Sequence, residues 1–152
     1  MRRNDRWLLR DILTMQSFTK LRVWQAAHRL TMDIYRVTRP FPPEERYGLT
    51  AQIRSSSISV MANIAEASAS RSRPDFLRIL NIAEKEAAET LSHLLVARGL
   101  SFLPAPVADP LTDRADHLRR MLHRLHDRVA GKTDKAVSPL ARHDAPSPGT
   151  PT

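Results

Sequence analysis

The chain has 152 residues, of which 41% are hydrophobic and only 5% aromatic, and it carries a formal net charge of +8 with a pI near 10.9. Because aromatic residues are so few, the core must be built from Leu, Ile, Val and Ala. Cysteine is absent, which excludes disulfides, zinc thiolates and cysteine nucleophiles. No apolar run reaches the roughly 20 residues that span a bilayer, and the basic N-terminus is not followed by an apolar stretch long enough for a secretory signal. We therefore expect a cytoplasmic protein, and its length predicts one domain with tails.

The two ends of the chain are less regular than its middle. Residues 1–16 are predicted to be an N-terminal extension, and Met15 is an alternative start because regular apolar spacing begins only after it. Residues 132–152 contain four Pro and few apolar side chains, which predicts a disordered C-terminal tail. The folded domain is therefore predicted to occupy residues 17–131.

The first helix is predicted over about Lys20–Thr38, with Ser17 or Thr19 as its N-cap. Trp24 flanks an apolar face with helical spacing, which is made of Val23, Ala27, Leu30, Ile34 and Val37. The Pro-rich segment 39–43 ends this helix, because proline cannot donate the next backbone hydrogen bond.

The second helix is predicted to begin near Glu44, whose carboxylate, like that of Glu45, suits the positive end of a helix dipole. Its inward positions read Leu49, Ile53, Ser56, Val60, Asn63 and Ala67. A buried amide needs hydrogen-bond partners, so Asn63 is expected either to fix the register of the packed helices or to contact a ligand or partner.

Ser72 and Pro74 form a start signal for the third helix, which is predicted to run to about Arg98 and to end at a left-handed Gly99. Its predicted apolar side comprises Phe76, Leu77, Leu80, Ala83, Ala87, Leu91, Leu94 and Leu95.

The fourth helix carries the clearest pattern in the chain. Asp109 is predicted to cap it, with Pro110 at its first position and Gly131 at its end. Its apolar residues are spaced 4, 3, 4, 3 and 4 apart, at Leu111, Ala115, Leu118, Leu122, Leu125 and Val129. Four such helices with short connections predict an all-α, antiparallel up-down-up-down four-helix bundle.

Patterns for catalysis and metal binding are incomplete. His123 and His126 share a helix face but lack a matching carboxylate motif, which indicates solvated surface histidines. Glu89 and His93 lack the second copy that a di-metal bundle requires, and the segment Ser17–Lys20 fits a helix cap better than a serine nucleophile. We therefore expect neither an enzyme nor a bound metal or cofactor.

Arginine outnumbers lysine, and its planar guanidinium suits phosphate. Arg71, Arg73 and Arg78 cluster around the predicted turn between the second and third helices with only Asp75 nearby, so they are the predicted phosphate contacts, together with Arg54. The arginines of the fourth helix have Asp neighbours that can neutralise them: Arg119, Arg120, Arg124 and Arg128. Charge alone leaves two interpretations open, a polyanionic partner or simple solubility.

Three blocks of sequence occur in the order of a bacterial family. They are Phe18-Thr-Lys-Leu-Arg-Val-Trp-Gln-Ala-Ala-His28, Phe41-Pro-Pro-Glu-Glu-Arg-Tyr-Gly-Leu-Thr-Ala-Gln-Ile-Arg54 and Ser59-Val-Met-Ala-Asn-Ile-Ala-Glu66. The chain resembles the four-helix-bundle family of 23S rRNA intervening-sequence proteins over residues 18–103, and more distantly the accessory protein of diversity-generating retroelements. It departs from the family at Met61 and Ala67, where Pro and Gly are usual.

The resemblance implies a non-enzymatic protein that assembles into a homo-oligomeric, pentameric ring. It also implies binding of RNA or DNA, or of a nucleic-acid enzyme such as a reverse transcriptase. No membrane partner is expected, because the chain lacks a long apolar run. Arg54, Asn63 and Glu66 fall on recurrent family positions, where we expect them to serve structure as much as binding. The alternative function is a protein-interaction scaffold without direct nucleic-acid binding.

Overall fold

The computed structural model describes residues 17–132, and within this range it contains four α-helices and no strand. The helices are α1 (Arg22–Val37), α2 (Leu49–Ser68), α3 (Arg73–Gly99) and α4 (Ala105–Ala130), with short 3-10 turns at Phe18–Lys20 and Pro43–Glu45. The predicted all-α, four-helix architecture is confirmed. The predicted extension over 1–16 and the tail beyond Lys132 lie outside the described residues. None of the four helices is long and apolar enough to cross a bilayer.

The four helices surround one core. α2 packs against α1 and α3, α3 packs against α4, and α4 also meets α1, although this last contact is the least extensive of the four. The large side chains that are fully enclosed come from every helix, and they include Ile34, Ile53, Ile64, Leu80, Leu94 and Leu122. Removing each such side chain from water stabilises the fold by about 1.5–3 kcal/mol, so the core depends on aliphatic burial as the composition predicts.

The start of α4 is five residues earlier than the sequence predicts. The helix begins at Ala105, so Pro110 lies inside it and Asp109 is not its cap. Asp109 instead accepts a hydrogen bond of 2.6 Å from the Arg98 Nε group. An interior proline costs a backbone hydrogen bond, but the extra turn carries Ala108 into the core with no exposed surface, which offsets that loss.

The predicted start of α2 near Glu44 is also wrong, because residues 43–45 form a 3-10 turn and the helix begins at Leu49. The Glu45 carboxylate still serves the helix end, since its Oε2 accepts a hydrogen bond of 2.9 Å from the Leu49 N–H. Gly48 makes this contact possible, because a Cβ atom there would lie 2.7 Å from that same oxygen.

The predicted end of α3 is corrected, and so is the placement of one side chain on it. Gly99 is the last residue of α3, and the left-handed residue is Ser101, with φ of 61°. Leu95, predicted on the apolar side of α3, is 52% exposed. The predicted end of α4 is confirmed, because Gly131 has φ of 75°.

The helix starts give a mixed result. Ser72 caps α3 as predicted, accepting a hydrogen bond of 3.3 Å from the Asp75 N–H. Neither Ser17 nor Thr19 caps α1, because that helix follows Leu21 and the two hydroxyls contact each other in the preceding turn.

Asp33 joins α1 to α4. Its Oδ2 accepts a hydrogen bond of 2.7 Å from Arg114 on α4, and its Oδ1 accepts one of 2.7 Å from Arg36 on its own helix. The hydrogen bond from Arg114, reinforced by the positive charges of both arginines, holds the pKa of Asp33 below its usual 3.8 even though partial burial opposes this. The native state therefore favours the ionised carboxylate.

Replacing Asp33 by Asn is expected to lower the free energy of unfolding by about 0.5–1 kcal/mol at neutral pH, because both arginines are partly solvated. A lowered native pKa means that this contribution is complete above the unfolded value of 3.8 and is lost as the pH falls through the native pKa. Urea unfolding at neutral and acid pH measures it. Asp113→Asn is the control, because that exposed carboxylate forms no ion pair within residues 17–132. Equal losses in both variants would contradict the role of the Asp33 pair.

Candidate nucleic-acid interface

The predicted phosphate contacts at the α2–α3 connection are exposed but only partly free. Arg78 donates to Asp75 Oδ1 from its Nη2 at 2.7 Å and from its Nε at 3.2 Å, so its charge is neutralised. The Arg73 guanidinium reaches the end of α4, where its Nη2 would lie 3.5 Å from a Cβ atom added at Gly131. Arg71 is exposed at the connection itself. The three arginines lie close in sequence, but Arg73 and Arg78 point to different neighbours.

Arg54 does not join this cluster. It lies near the start of α2, roughly 21 Å of helix away from the end of α2 at Ser68, at 1.5 Å per residue. Its Nε donates a hydrogen bond of 2.8 Å to Thr38 Oγ1, and its guanidinium lies 4.7 Å from the centre of the Tyr35 ring. Both contacts are with α1 and its end, so Arg54 ties α2 to α1.

Asn63 is predicted at an inward position of α2, and this placement is wrong, because its side chain lies beside the row of buried residues and not within it. Ile64 occupies the buried position and is 1% exposed. Residues three and four positions after Val60 both lie near the same helix face, and the larger apolar side chain turns inward. The Asn63 amide donates to the carbonyl and hydroxyl of Ser59 at 2.8 and 3.1 Å. These bonds stay within one helix, and Glu66, one turn on, is exposed.

One group of side chains has the order of a hydrolytic triad, but its hydroxyl is buried. The group consists of Ser56, His93 and Glu89. Ser56 Oγ is 3.4 Å from His93 Nδ1, and His93 Nε2 is 3.9 Å from Glu89 Oε1. Ser56 is only 2% exposed, and its hydroxyl accepts a hydrogen bond of 3.0 Å from Thr90 and lies 3.3 Å from the Ile53 carbonyl. A nucleophile must reach its substrate, so these groups serve to join α2 to α3.

His123 is more engaged than the sequence predicts. Its Nδ1 lies 3.2 Å from Glu84 on α3, and its Nε2 lies 3.2 Å from Asp127 one turn along α4. His126 approaches the same Asp127 at 3.5 Å. The contact with Glu84 crosses between helices, so no local pattern could reveal it. Within residues 17–132, no group of three or more His, Asp or Glu side chains is arranged to hold a metal ion.

A groove between α1 and α4 concentrates arginine. Two clefts of about 350 and 510 Å³ follow one another along it. We call this surface the α1–α4 groove and define it by its arginines, Arg22, Arg29, Arg114, Arg120, Arg124 and Arg128. Residues 22 and 128 are far apart in the sequence, so only the packing of the first helix against the last brings them together.

Four of these six arginines form no ion pair with any other residue of 17–132. Arg114 is paired with Asp33 at 2.7 Å, and Arg120 is paired with Asp116 at 3.2 Å. The other four form no ion pair with another described residue, and they are Arg22, Arg29, Arg124 and Arg128. The predicted neutralisation of α4 therefore applies to Arg119 and Arg120 but not to its last two arginines.

One sequence signal did point to this surface. Arg120, Arg124 and Arg128 recur every fourth residue, which places them on one face of α4. The matching arginines of α1 are spaced seven apart, at Arg22 and Arg29, which also keeps them on one face. What the pattern could not show is that these two faces border the same groove.

The fold and this surface define a class, the small helical bundles with a basic exterior. The chain belongs to the 23S rRNA-intervening sequence protein family, which it matches over residues 19–124. It is similar to the crystal structure of a protein of unknown function from the S23 ribosomal protein family of Bacteroides thetaiotaomicron VPI-5482, with a TM-score of 0.62 and 25% identity over 68% of this chain and 97% of that one. No curated protein matches the chain. The family resemblance is confirmed, whereas the relationship to retroelement accessory proteins stays a prediction.

Proposed function

We propose that this protein is a non-enzymatic, cytoplasmic helical bundle that binds nucleic acid, and RNA in particular. The observation that carries the proposal is the group of exposed arginines in the α1–α4 groove that have no acidic partner among the described residues. Guanidinium groups bind phosphate oxygens in a bidentate manner, and unpaired ones do so without first breaking an ion pair. The family description, which concerns 23S rRNA intervening sequences, supports RNA over DNA.

The proposal includes self-association into a homo-oligomer, for which the resemblance implies a ring of five antiparallel up-down-up-down bundles. Exposed apolar side chains near the α3–α4 connection support an interface between copies, and they are Leu95, Val96, Leu100 and Val107. Arg98 contacts Asp109, and Glu84 contacts His123, so residues late in α3 meet residues early in α4 and the reverse. These pairs support the antiparallel arrangement.

The test is the affinity for a structured RNA measured by fluorescence anisotropy between about 50 and 200 mM salt. Four phosphate contacts release counterions with a log–log slope of about −3 to −4, so affinity is expected to fall steeply with salt. The control is a peptide nucleic acid of the same base sequence, whose backbone is uncharged and which is expected not to bind. Undetectable RNA binding, or binding that salt does not weaken, would count against phosphate contact.

The exposed apolar side chains favour a second candidate, a scaffold that binds a protein such as a reverse transcriptase and does not touch nucleic acid. A pull-down with and without nuclease treatment separates the two functions. A scaffold keeps its protein partner after nuclease treatment, whereas a partner held through nucleic acid is released.

A further inference from the structure

We infer that the α1–α4 groove is the site that holds the nucleic-acid strand, and that it recognises the phosphodiester backbone and not the bases. This inference rests on the proposed function and names the site that performs it. It differs from the sequence-based prediction, which places the phosphate contacts at Arg71, Arg73 and Arg78 on the α2–α3 connection.

The balance of charge favours the groove over the connection. The first cleft is lined by Arg22, Arg124 and Arg128, and no acidic side chain from the described part of the chain lines it. At the connection, Arg78 already makes two hydrogen bonds to Asp75. Among the described residues, the first cleft therefore offers three arginines without an ion pair, whereas the connection offers two, Arg71 and Arg73.

The spacing of the arginines suits an extended polyanion. Arg120, Arg124 and Arg128 follow one wall of the groove at intervals of about 6 Å, at 1.5 Å per residue. Arg22 and Arg29 lie on the opposite wall, one in each cleft. A strand lying along the groove thus meets guanidinium groups from both sides over roughly 11 Å, the rise from Arg22 to Arg29.

The floor of the groove explains why bases would not be read. It is formed by aliphatic or thioether side chains, among them Val23, Ala26, Met121 and Leu125. No Phe, Tyr or Trp side chain of residues 17–132 lines either cleft, and stacking on His117 or on a guanidinium group tolerates any base. The nearby Trp24 is occupied elsewhere, because its ring stacks on His28 with centroids 5.1 Å apart.

The second cleft is the weaker half of the site. Asp113 lines it and repels phosphate, and Arg114 and Arg120 are held by acidic partners. His117 lines the same cleft. We therefore expect the first cleft to contribute most of the affinity, and a test should remove its three arginines.

The experiment compares two triple variants that each remove three positive charges. Arg22→Gln, Arg124→Gln and Arg128→Gln together form the groove variant, and Arg71→Gln, Arg73→Gln and Arg78→Gln together form the connection variant. The probes are labelled oligouridylate and oligocytidylate RNAs of equal length, long enough to span the groove. Anisotropy is recorded for each protein from about 50 to 200 mM salt.

We expect the groove variant to bind about 100-fold more weakly than the unmodified chain at about 0.1 M salt, with a log–log salt slope shallower by about 2. The connection variant is expected to keep affinity and slope close to those of the unmodified chain. The two homopolymers are expected to bind equally well, because only their bases differ.

Each other outcome overturns a defined part of the inference. Equal losses in both variants would mean that binding follows net charge, and a loss confined to the connection variant would move the site there; in both cases the proposed function stands. A clear preference for one homopolymer would refute backbone recognition. If the unmodified chain binds the structured RNA but neither homopolymer, recognition of a strand by its backbone is refuted; if it binds none of the three RNAs, the proposed function itself is refuted. Circular dichroism confirms folding, and the single exposed changes Arg124→Glu and Arg71→Glu replace any triple variant that does not fold.

Discussion

Replacement of Leu122 by Ala is expected to lower the free energy of unfolding by about 2–5 kcal/mol. Leu122 lies in the middle of the apolar stripe of α4 and has no exposed surface. Truncation removes apolar contacts and leaves a cavity that the surrounding helices can fill only in part, because packed helices move as rigid elements. Denaturant unfolding followed by circular dichroism at a fixed protein concentration measures the loss, since any self-association adds to stability.

The control for this change is Leu125→Ala, one position further along the same stripe. Leu125 is only partly buried and borders the α1–α4 groove, where water already approaches its side chain. Its truncation is expected to cost clearly less than that of Leu122, because less area is returned to water. If both changes cost the same, the groove is closed in solution and its arginines lie on a different surface.

Replacement of Ala87 by Leu is expected to destabilise the chain by about 1–3 kcal/mol through overpacking. Ala87 is 1% exposed on the inner side of α3, one turn before the buried Thr90 that bonds to Ser56 on α2. Three additional carbon atoms at this position must separate α3 from its neighbours or force strained side-chain conformations. The same denaturant measurement used for Leu122 reports the effect.

The adjacent Ala88→Leu is the matched control, because Ala88 is exposed and leucine is nearly as good a helix former as alanine. It is expected to leave stability almost unchanged. A neutral Ala87→Leu change would show that the interior of α3 has room for a larger residue. In that case small side chains would not be what sets the distance between helices.

The existence of the helices could be predicted because it depends on local periodicity. The stripe of α4 is confirmed almost residue for residue, because five of its six members are buried and Leu125 is partly buried. In the same way Ser72 and Gly131 mark helix ends through their own backbone preferences. Such signals need no knowledge of the other helices.

Predictions failed where two local solutions compete and packing selects one. A helix can start at Pro110 or earlier, and the burial of Ala108 favours the earlier start. A seam can pass through Asn63 or Ile64, and the larger apolar side chain turns inward. The sequence offers both choices with nearly equal local cost, so the decision rests with the core.

The candidate site shows the same division. The arginines at the α2–α3 connection stand out in the sequence because they are close together in the chain, yet Arg78 is neutralised by its neighbour Asp75. The groove arginines come from opposite ends of the domain, and their charge adds only once α1 lies beside α4.

The sequence by itself determined four helices and an excess of arginine, because periodicity and composition are properties of the chain alone. Only the tertiary structure decided which arginines are held in ion pairs and which of them share a groove. Neutralisation and proximity depend on distances between side chains, and those distances are set when the first helix packs against the last.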